Sequence, residues 1–156
     1  MIVERTSIFN ASPERIWQEM LTTRLLHYVA SPVIKFIPVH SELPSMWKEG
    51  EYLVDMRLFS FIPFGRQSIV ITSPSQAEKE GHLYVMLDDG RGQIIRKWRH
   101  FITVDSAEHG KARYTDRIDL RAGILTPFIW LFTSLFFWHR QSRWKRLIAN
   151  DFNYHK

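Results

Sequence analysis

The sequence predicts an α+β domain of two layers, in the order β-α-α-β6-α: a seven-stranded antiparallel sheet wrapped around one long C-terminal helix. Three observations carry this. Segments of period two dominate between residues 33 and 121, separated by short turns that bear glycine or proline. Two short helical stretches fall between the first strand and the second, and the one long stretch of helical period comes last. Strands joined by short turns pair antiparallel, because a parallel neighbour needs a crossover of about a dozen residues. A chain of 156 residues fits a single domain over 1–156, a size at which about 70% of the unfolded surface is buried on folding.

Taken in order, Ile2–Phe9 alternates and ends at Asn10-Ala11-Ser12-Pro13. Ser12 suits an N-cap, and Pro13 suits the first helical position, where its missing N–H costs nothing. The helix then runs to about Met20, with Ile16, Trp17 and Met20 on one face. Thr22 or Thr23 opens a second helix carrying Leu25, Leu26 and Val29. Ser31-Pro32 stops it, since a residue before proline is driven from the α region. Residues 33–39 form the next strand. Residues 51–59 show the clearest period of two, with Tyr52, Val54, Met56 and Leu58 on one face and Glu51, Asp55 and Arg57 on the other. Residues 66–72 and 82–87 continue the sheet, and Asp89-Gly90-Arg91-Gly92 reads as a hairpin turn. Residues 94–104 and 111–121 are the last strands, and Thr126-Pro127 opens a helix reaching about Phe152.

With Val104 opposite Ala112, the last hairpin sets Ile102 against Tyr114, His100 against Asp116 and Trp98 against Ile118, all on one face. Lys97, Arg99, Arg113, Thr115, Arg117, Asp119 and Arg121 then lie on the solvated face. The inward face therefore carries one polar pair, His100 with Asp116. An unpaired buried polar group costs about 1–3 kcal/mol. The pair either satisfies itself within the core, orients the polar end of a ligand at a cavity wall, or does acid–base work with His100 as general base and Asp116 positioning it.

In the last helix, at about 100° per residue, Trp130, Thr133, Phe137, Trp144 and Ile148 share a stripe, with Ile129, Arg140 and Leu147 at its edges. This stripe is expected to face the sheet. Phe128, Leu131, Leu135 and Trp138 lie opposite. Either other elements cover them, or they form a patch for a membrane surface or partner, apolar first and then basic at His139, Arg140, Arg143, Lys145 and Arg146. As helix, the apolar stretch 127–138 spans about 18 Å, short of a roughly 30 Å hydrocarbon core.

Composition narrows the chemistry. The absence of cysteine excludes disulfides, thiolate metal sites, iron–sulfur clusters and a cysteine nucleophile. Aromatic residues make up 14% of the chain, which points to an aromatic-lined interior or an adhesive surface. A net charge of +5 permits an anionic partner without requiring one. The G-x-S-x-G, H-E-x-x-H, P-loop and G-x-G-x-x-G patterns are absent, and the histidines are scattered, so no metal or cofactor is expected. Basic residues are spread over several elements, and nucleic acid is not expected as a partner. The first residues lack the marks of a signal peptide, so a cytoplasmic location is expected.

Three sets of residues carry a resemblance. They are Phe9-Asn-Ala-Ser-Pro-Glu-Arg-Ile-Trp17, Met46-Trp47-Lys-Glu-Gly50 with Phe61-Ile-Pro-Phe-Gly65, and Trp98-Arg-His100 followed by Thr115-Asp116-Arg117. Together they resemble the START-like (SRPBCC) helix-grip superfamily, which includes polyketide cyclase/dehydrase-like and Bet v 1-like proteins, over nearly the whole chain. The resemblance implies a sheet gripping the C-terminal helix around an apolar cavity for lipids, sterols, polyketides or similar molecules. It assigns no catalytic residue, since the superfamily shares none, and the apolar segment 128–138 departs from typical members.

The expected function is binding or transport of a hydrophobic small molecule or lipid in a cavity of a few hundred Å³. Its expected apolar wall is Val54, Met56, Leu58, Trp98, Ile102, Ile118 and Phe137. Its expected polar wall is His100, Tyr114, Asp116 and Arg140. The alternatives are a cyclase- or dehydratase-like enzyme using His100 and Asp116, and a peripheral membrane module using the last helix.

Overall fold

The computed structural model describes residues 1–155, which form β1 (Ile2–Phe9), α1 (Pro13–Met20), α2 (Thr23–Ala30), β2 (Ile34–Pro38), β3 (Gly50–Leu58), β4 (Ile62–Thr72), α3 (Gln76–Lys79), β5 (Tyr84–Gly92), β6 (Lys97–Ser106), β7 (Ala112–Arg121) and α4 (Thr126–Ala149). The seven strands make one antiparallel sheet in the order β1-β7-β6-β5-β4-β3-β2, so β1 and β2 are its two edges and α1–α2 carry the chain between them. The long helix α4 packs against β1, β7 and α2.

Local chemistry sets the elements. Ser12 caps α1, its hydroxyl accepting the Arg15 N–H at 3.2 Å, with Pro13 in the first turn. α2 ends where Ser31, before Pro32, turns extended. Along β7 the alternation is complete: Ala112, Tyr114, Asp116, Ile118 and Leu120 are buried, while Arg113, Arg117 and Arg121 are exposed. Beneath the C-terminal half of α4, Phe9, Tyr114 and Trp144 are fully buried against one another, with centroids 5.2–5.8 Å apart. Side chains of this size contribute about 1.5–3 kcal/mol each on burial.

Several expectations need correction. Asp89-Gly90-Arg91-Gly92 is not a turn but the end of β5, with Gly90 opposite Trp98 and Gly92 opposite Gln67. The glycines are required by close packing: a Cβ on Gly90 would strike the Ser68 carbonyl oxygen, and one on Gly92 the Arg66 carbonyl oxygen and the Gln67 side chain. The turn follows at 93–96, closed by the Gly92 N–H on the Ile95 carbonyl at 2.7 Å.

The β6–β7 hairpin is shifted by two residues from the expected register. Val104 opposes Tyr114, Ile102 opposes Asp116, His100 opposes Ile118 and Trp98 opposes Leu120. The connection is tighter than assumed, closing from the Ala107 N–H to the Lys111 carbonyl at 2.8 Å through His109 and Gly110, both at positive φ. A shift of two keeps every side chain on its face.

α3 was not expected, although Ser75-x-x-Glu78 is a capping box and forms one, the Glu78 carboxylate accepting the Ser75 N–H at 2.9 Å. α4 ends at Ala149 rather than near Phe152, because Asp151 and Phe152 adopt positive φ and turn the chain back. Phe152 then lies under the Arg15 guanidinium, and the Tyr154 hydroxyl donates to Glu19 at 2.6 Å. The buried face of α4 is also broader than the expected stripe. Trp130 and Ile148 are only half-buried, whereas Phe136 and Gln141 are buried, because α4 packs against α2 as well as the sheet.

Candidate functional site

Between the sheet, α2 and the middle of α4 lies a cavity of about 110 Å³. Period-two alternation turns Ile69 and Ile71 of β4, Met86 of β5 and Ile102 of β6 into it. Phe132, Phe136 and Phe137 of α4 reach it from the other side at helical spacing. Gln67, Asp88 and His100 from the sheet and Thr133 and Arg140 from α4 add polar groups to the lining. The space is smaller than the few hundred Å³ expected. A lone water needs about 10–15 Å³ and pockets for drug-sized ligands run to about 300–1,000 Å³, so the cavity suits a single-ring molecule.

Of the residues expected at the site, Met56, Trp98, His100, Ile102, Phe137 and Arg140 line the cavity. Val54, Leu58, Tyr114, Asp116 and Ile118 do not. Val54 and Ile118 are packed solid in the core, and Leu58 is half-buried at the end of β3. Tyr114 and Asp116 stand behind the wall. The hollow opens toward β4 and β5 because Trp144, Tyr114 and Phe9 fill the space over β7.

Behind that wall is a buried polar network centred on Asp116. His100 Nε2 donates to Asp116 Oδ1 at 2.9 Å, and the Tyr114 hydroxyl donates to the same oxygen at 2.9 Å. Gln141 Nε2 donates to Oδ2 at 3.0 Å and to the Arg5 carbonyl at 2.9 Å, while Ser7 donates to Gln141 Oε1 at 2.8 Å. Arg140 Nε lies 3.7 Å from Asp116 Oδ1, and Arg140 also donates to the Tyr114 hydroxyl at 3.2 Å. Burial opposes ionisation of Asp116, yet Arg140, His100 and Gln141 together hold its carboxyl below the usual range. Burial pushes the His100 imidazole down in spite of Asp116, and it pushes the Tyr114 hydroxyl up.

His100 is therefore a neutral imidazole at neutral pH, its proton on Nε2 fixed by the carboxylate. Nδ1 is left as an acceptor of a hydrogen bond or a proton. Asp88 behaves in the opposite way. Burial raises its pKa to about 7, with Asp89 adding to the rise, although the Val70 N–H at 2.8 Å and the Trp98 indole favour the ionised form.

Sequence reasoning missed Gln67, Asp88 and Gln141. Gln67 shares the parity of Ile69 and Ile71, and Asp88 that of Met86, so strict alternation points both inward. Reading Gly90 and Gly92 as a turn cut β5 short and hid the second signal. Gln141 stands four residues after Phe137 and three before Trp144, so helical spacing places it on the apolar stripe, and only its polarity kept it from being counted there.

Seven antiparallel strands curled about a terminal helix, with two short helices after the first strand, define the START-like helix-grip fold. Solved structures share it. A START superfamily protein from Mycobacterium smegmatis superposes with a TM-score of 0.68 at 11% identity, over 96% of this chain and 97% of that one. A conserved protein from Geobacillus kaustophilus gives 0.65 at 14% identity, over 96% of each chain. An aromatase/cyclase from a Streptomyces species gives 0.52 at 10% identity, over 79% of this chain and 68% of that one. At these identities the likeness is one of fold. No protein-family profile matches the sequence, and no curated protein matches it either.

Proposed function

We propose that the protein is a binding module for a small hydrophobic molecule, held in the cavity between the sheet and α4. The observation that carries this is a hollow walled mainly by aliphatic and aromatic side chains, with a few polar groups from the sheet and from α4. Burial of apolar ligand surface supplies affinity at about 25 cal/mol per Å². His100 Nδ1, held by Asp116, orients the polar end of the ligand. An apolar cavity of about 150 Å³ is known to hold benzene, so one ring fits at the present size, and a larger lipid or polycycle requires α4 to move from the sheet.

The test is native mass spectrometry of the purified protein together with calorimetric titration by ethylbenzene, on wild type and Ile102→Phe. Wild type is expected to bind, and the bulkier ring in the hollow to abolish binding while the circular dichroism spectrum is kept. Absence of both a co-purified molecule and ethylbenzene binding refutes the reading. An enzymatic alternative, with His100 as general base, uses the same Nδ1. Turnover lost in His100→Ala with binding retained would distinguish it.

A second reading, compatible with the first, is peripheral contact with an anionic membrane. It is favoured by the exposure of Phe128 (73%), Leu131, Leu135 and Trp138 on α4. No helix among the described residues is long and apolar enough to cross a membrane. Phe59, Phe61 (72%) and Ile62, at the β3–β4 tip, are also exposed, and Phe64 of the same hairpin packs at a tilt on Phe132, centroids 6.1 Å apart, which brings the hairpin tip close to this part of α4. Lys35 and Arg57 are exposed and directly paired across β2 and β3 near that tip, a like-charge juxtaposition that an anionic surface would relieve. The basic residues of α4 contribute less than expected. Arg140 is buried, Arg143 lies over the Tyr28 ring, and His139 bonds the Ser31 carbonyl.

A further inference from the structure

We propose that the Gln67–Asp88 corner of the cavity is a subsite for an uncharged amide edge, so that the ligand is a small apolar ring bearing a carboxamide or lactam. This rests on the reading of the cavity as a ligand site. Gln67 is 6% exposed and lines the hollow, yet neither Nε2 nor Oε1 has a hydrogen-bond partner among the described residues. Its neighbours of the same parity, Ile69 and Ile71, are apolar, and a methionine would fill the position without stranding a donor and an acceptor.

The side-chain amide presents donor and acceptor side by side. A group offering the complementary pair satisfies both at once, whereas a ketone or ether satisfies only the donor. The glycines of β5 make the room. A Cβ on Gly92 would strike Gln67 Oε1, and one on Gly90 would stand 3.2 Å from both Asp88 Oδ1 and Gln67 Nε2, so the two glycines are what let the Gln67 amide lie across β5 beside Asp88.

The corner also favours a neutral head. The charge of Arg140 is offset by Asp116 at 3.7 Å, and His100 is uncharged, so an ionised ligand meets no excess positive charge among the described lining residues. Burial holds the Asp88 carboxyl toward its protonated form, which adds a second donor.

The experiment titrates benzamide, ethylbenzene and benzoate into wild type and Gln67→Met, by calorimetry and by the Gln67 side-chain NH₂ signals in NMR. Wild type is expected to bind benzamide at least about tenfold more tightly than ethylbenzene or benzoate. Gln67→Met is expected to lose the benzamide preference, keep ethylbenzene binding and show a raised Tm, since it removes an unsatisfied amide. Equal wild-type affinity for benzamide and ethylbenzene, or a preference that survives in Gln67→Met, overturns the amide subsite and leaves the cavity reading standing. Failure of all three compounds to bind overturns both. The wild-type comparison decides the matter even if the variant does not fold.

Discussion

Asp116 has no exposed surface, and its charge is tolerable only because donors from three elements converge on it: His100 from β6, Tyr114 from β7, and Gln141 with Arg140 from α4. Removing the carboxylate strands a buried guanidinium. Asp116→Ala is therefore expected to cost about 3–5 kcal/mol in urea unfolding at pH 7, and a loss under about 1 kcal/mol would show the network to be incidental. The pH dependence has two opposed parts. His100 titrates below its ordinary 6.5 in the folded state, so as the pH falls through 6.5 the unfolded chain takes up a proton that the folded chain refuses, and stability drops. Asp116, held below 3.8, stabilises above that value and loses its contribution as the pH falls further. Asp88 is raised from 3.8 to about 7, so its contribution is full below 3.8 and is lost as the pH rises through 7. The charged or titratable groups around it are Asp89 beside it, His100 directly opposite it on β6, and Arg140 across the cavity. Asp88→Asn should thus remove a fall in unfolding free energy between about pH 4 and 7, and an unchanged profile would refute the assignment. The His100–Asp116 pair was legible from sequence because it is the one polar pair at inward parity on the last two strands. The rest of the network was passed over, since Gln141, although at stripe spacing from Phe137 and Trp144, is polar and was not counted with the apolar residues.

At the scale of elements, alternation specified faces better than partners. β7 reads inward and outward without exception, yet its pairing with β6 was misplaced by two residues, because a step of two leaves the hydrophobic pattern unchanged. Only the conformation of the connecting turn fixes the register, and the positive φ at His109, unusual for a residue with a Cβ, was not marked in the sequence. β5 shows the reverse failing, where glycines taken as punctuation are instead demanded by the approach of β4. Gly90→Ala should push the strands apart and cost about 1–3 kcal/mol in thermal unfolding, and a change within about 0.5 kcal/mol would show that the sheet yields freely there. Ser12 and Pro13, by contrast, located the start of α1 closely, because they act through contacts only a few residues long.

For the molecule as a whole, the order of elements and the antiparallel run from β2 to β7 were legible because sequential strands leave few alternatives, whereas the seating of β1 beside β7 has no local signal. The size of the hollow was not, since it depends on how closely α4 settles on the sheet, a sum over many contacts. The exposed apolar end makes its own prediction. Wild type should co-sediment with vesicles containing anionic lipid at low salt, and the double variant Leu131→Glu, Leu135→Glu should stay in the supernatant while its Tm is little changed. Equal sedimentation of the two proteins would sink the membrane reading. One helix supplies both surfaces: Phe132, Phe136 and Phe137 face the hollow, while Leu131, Leu135 and Trp138 are exposed. A rotation of α4 about its own axis by a fraction of one residue's step would move both sets together. Substitutions made on the outside of this helix to improve solubility therefore cannot be treated as silent, because they act on a rod whose other flank sets what the protein can hold.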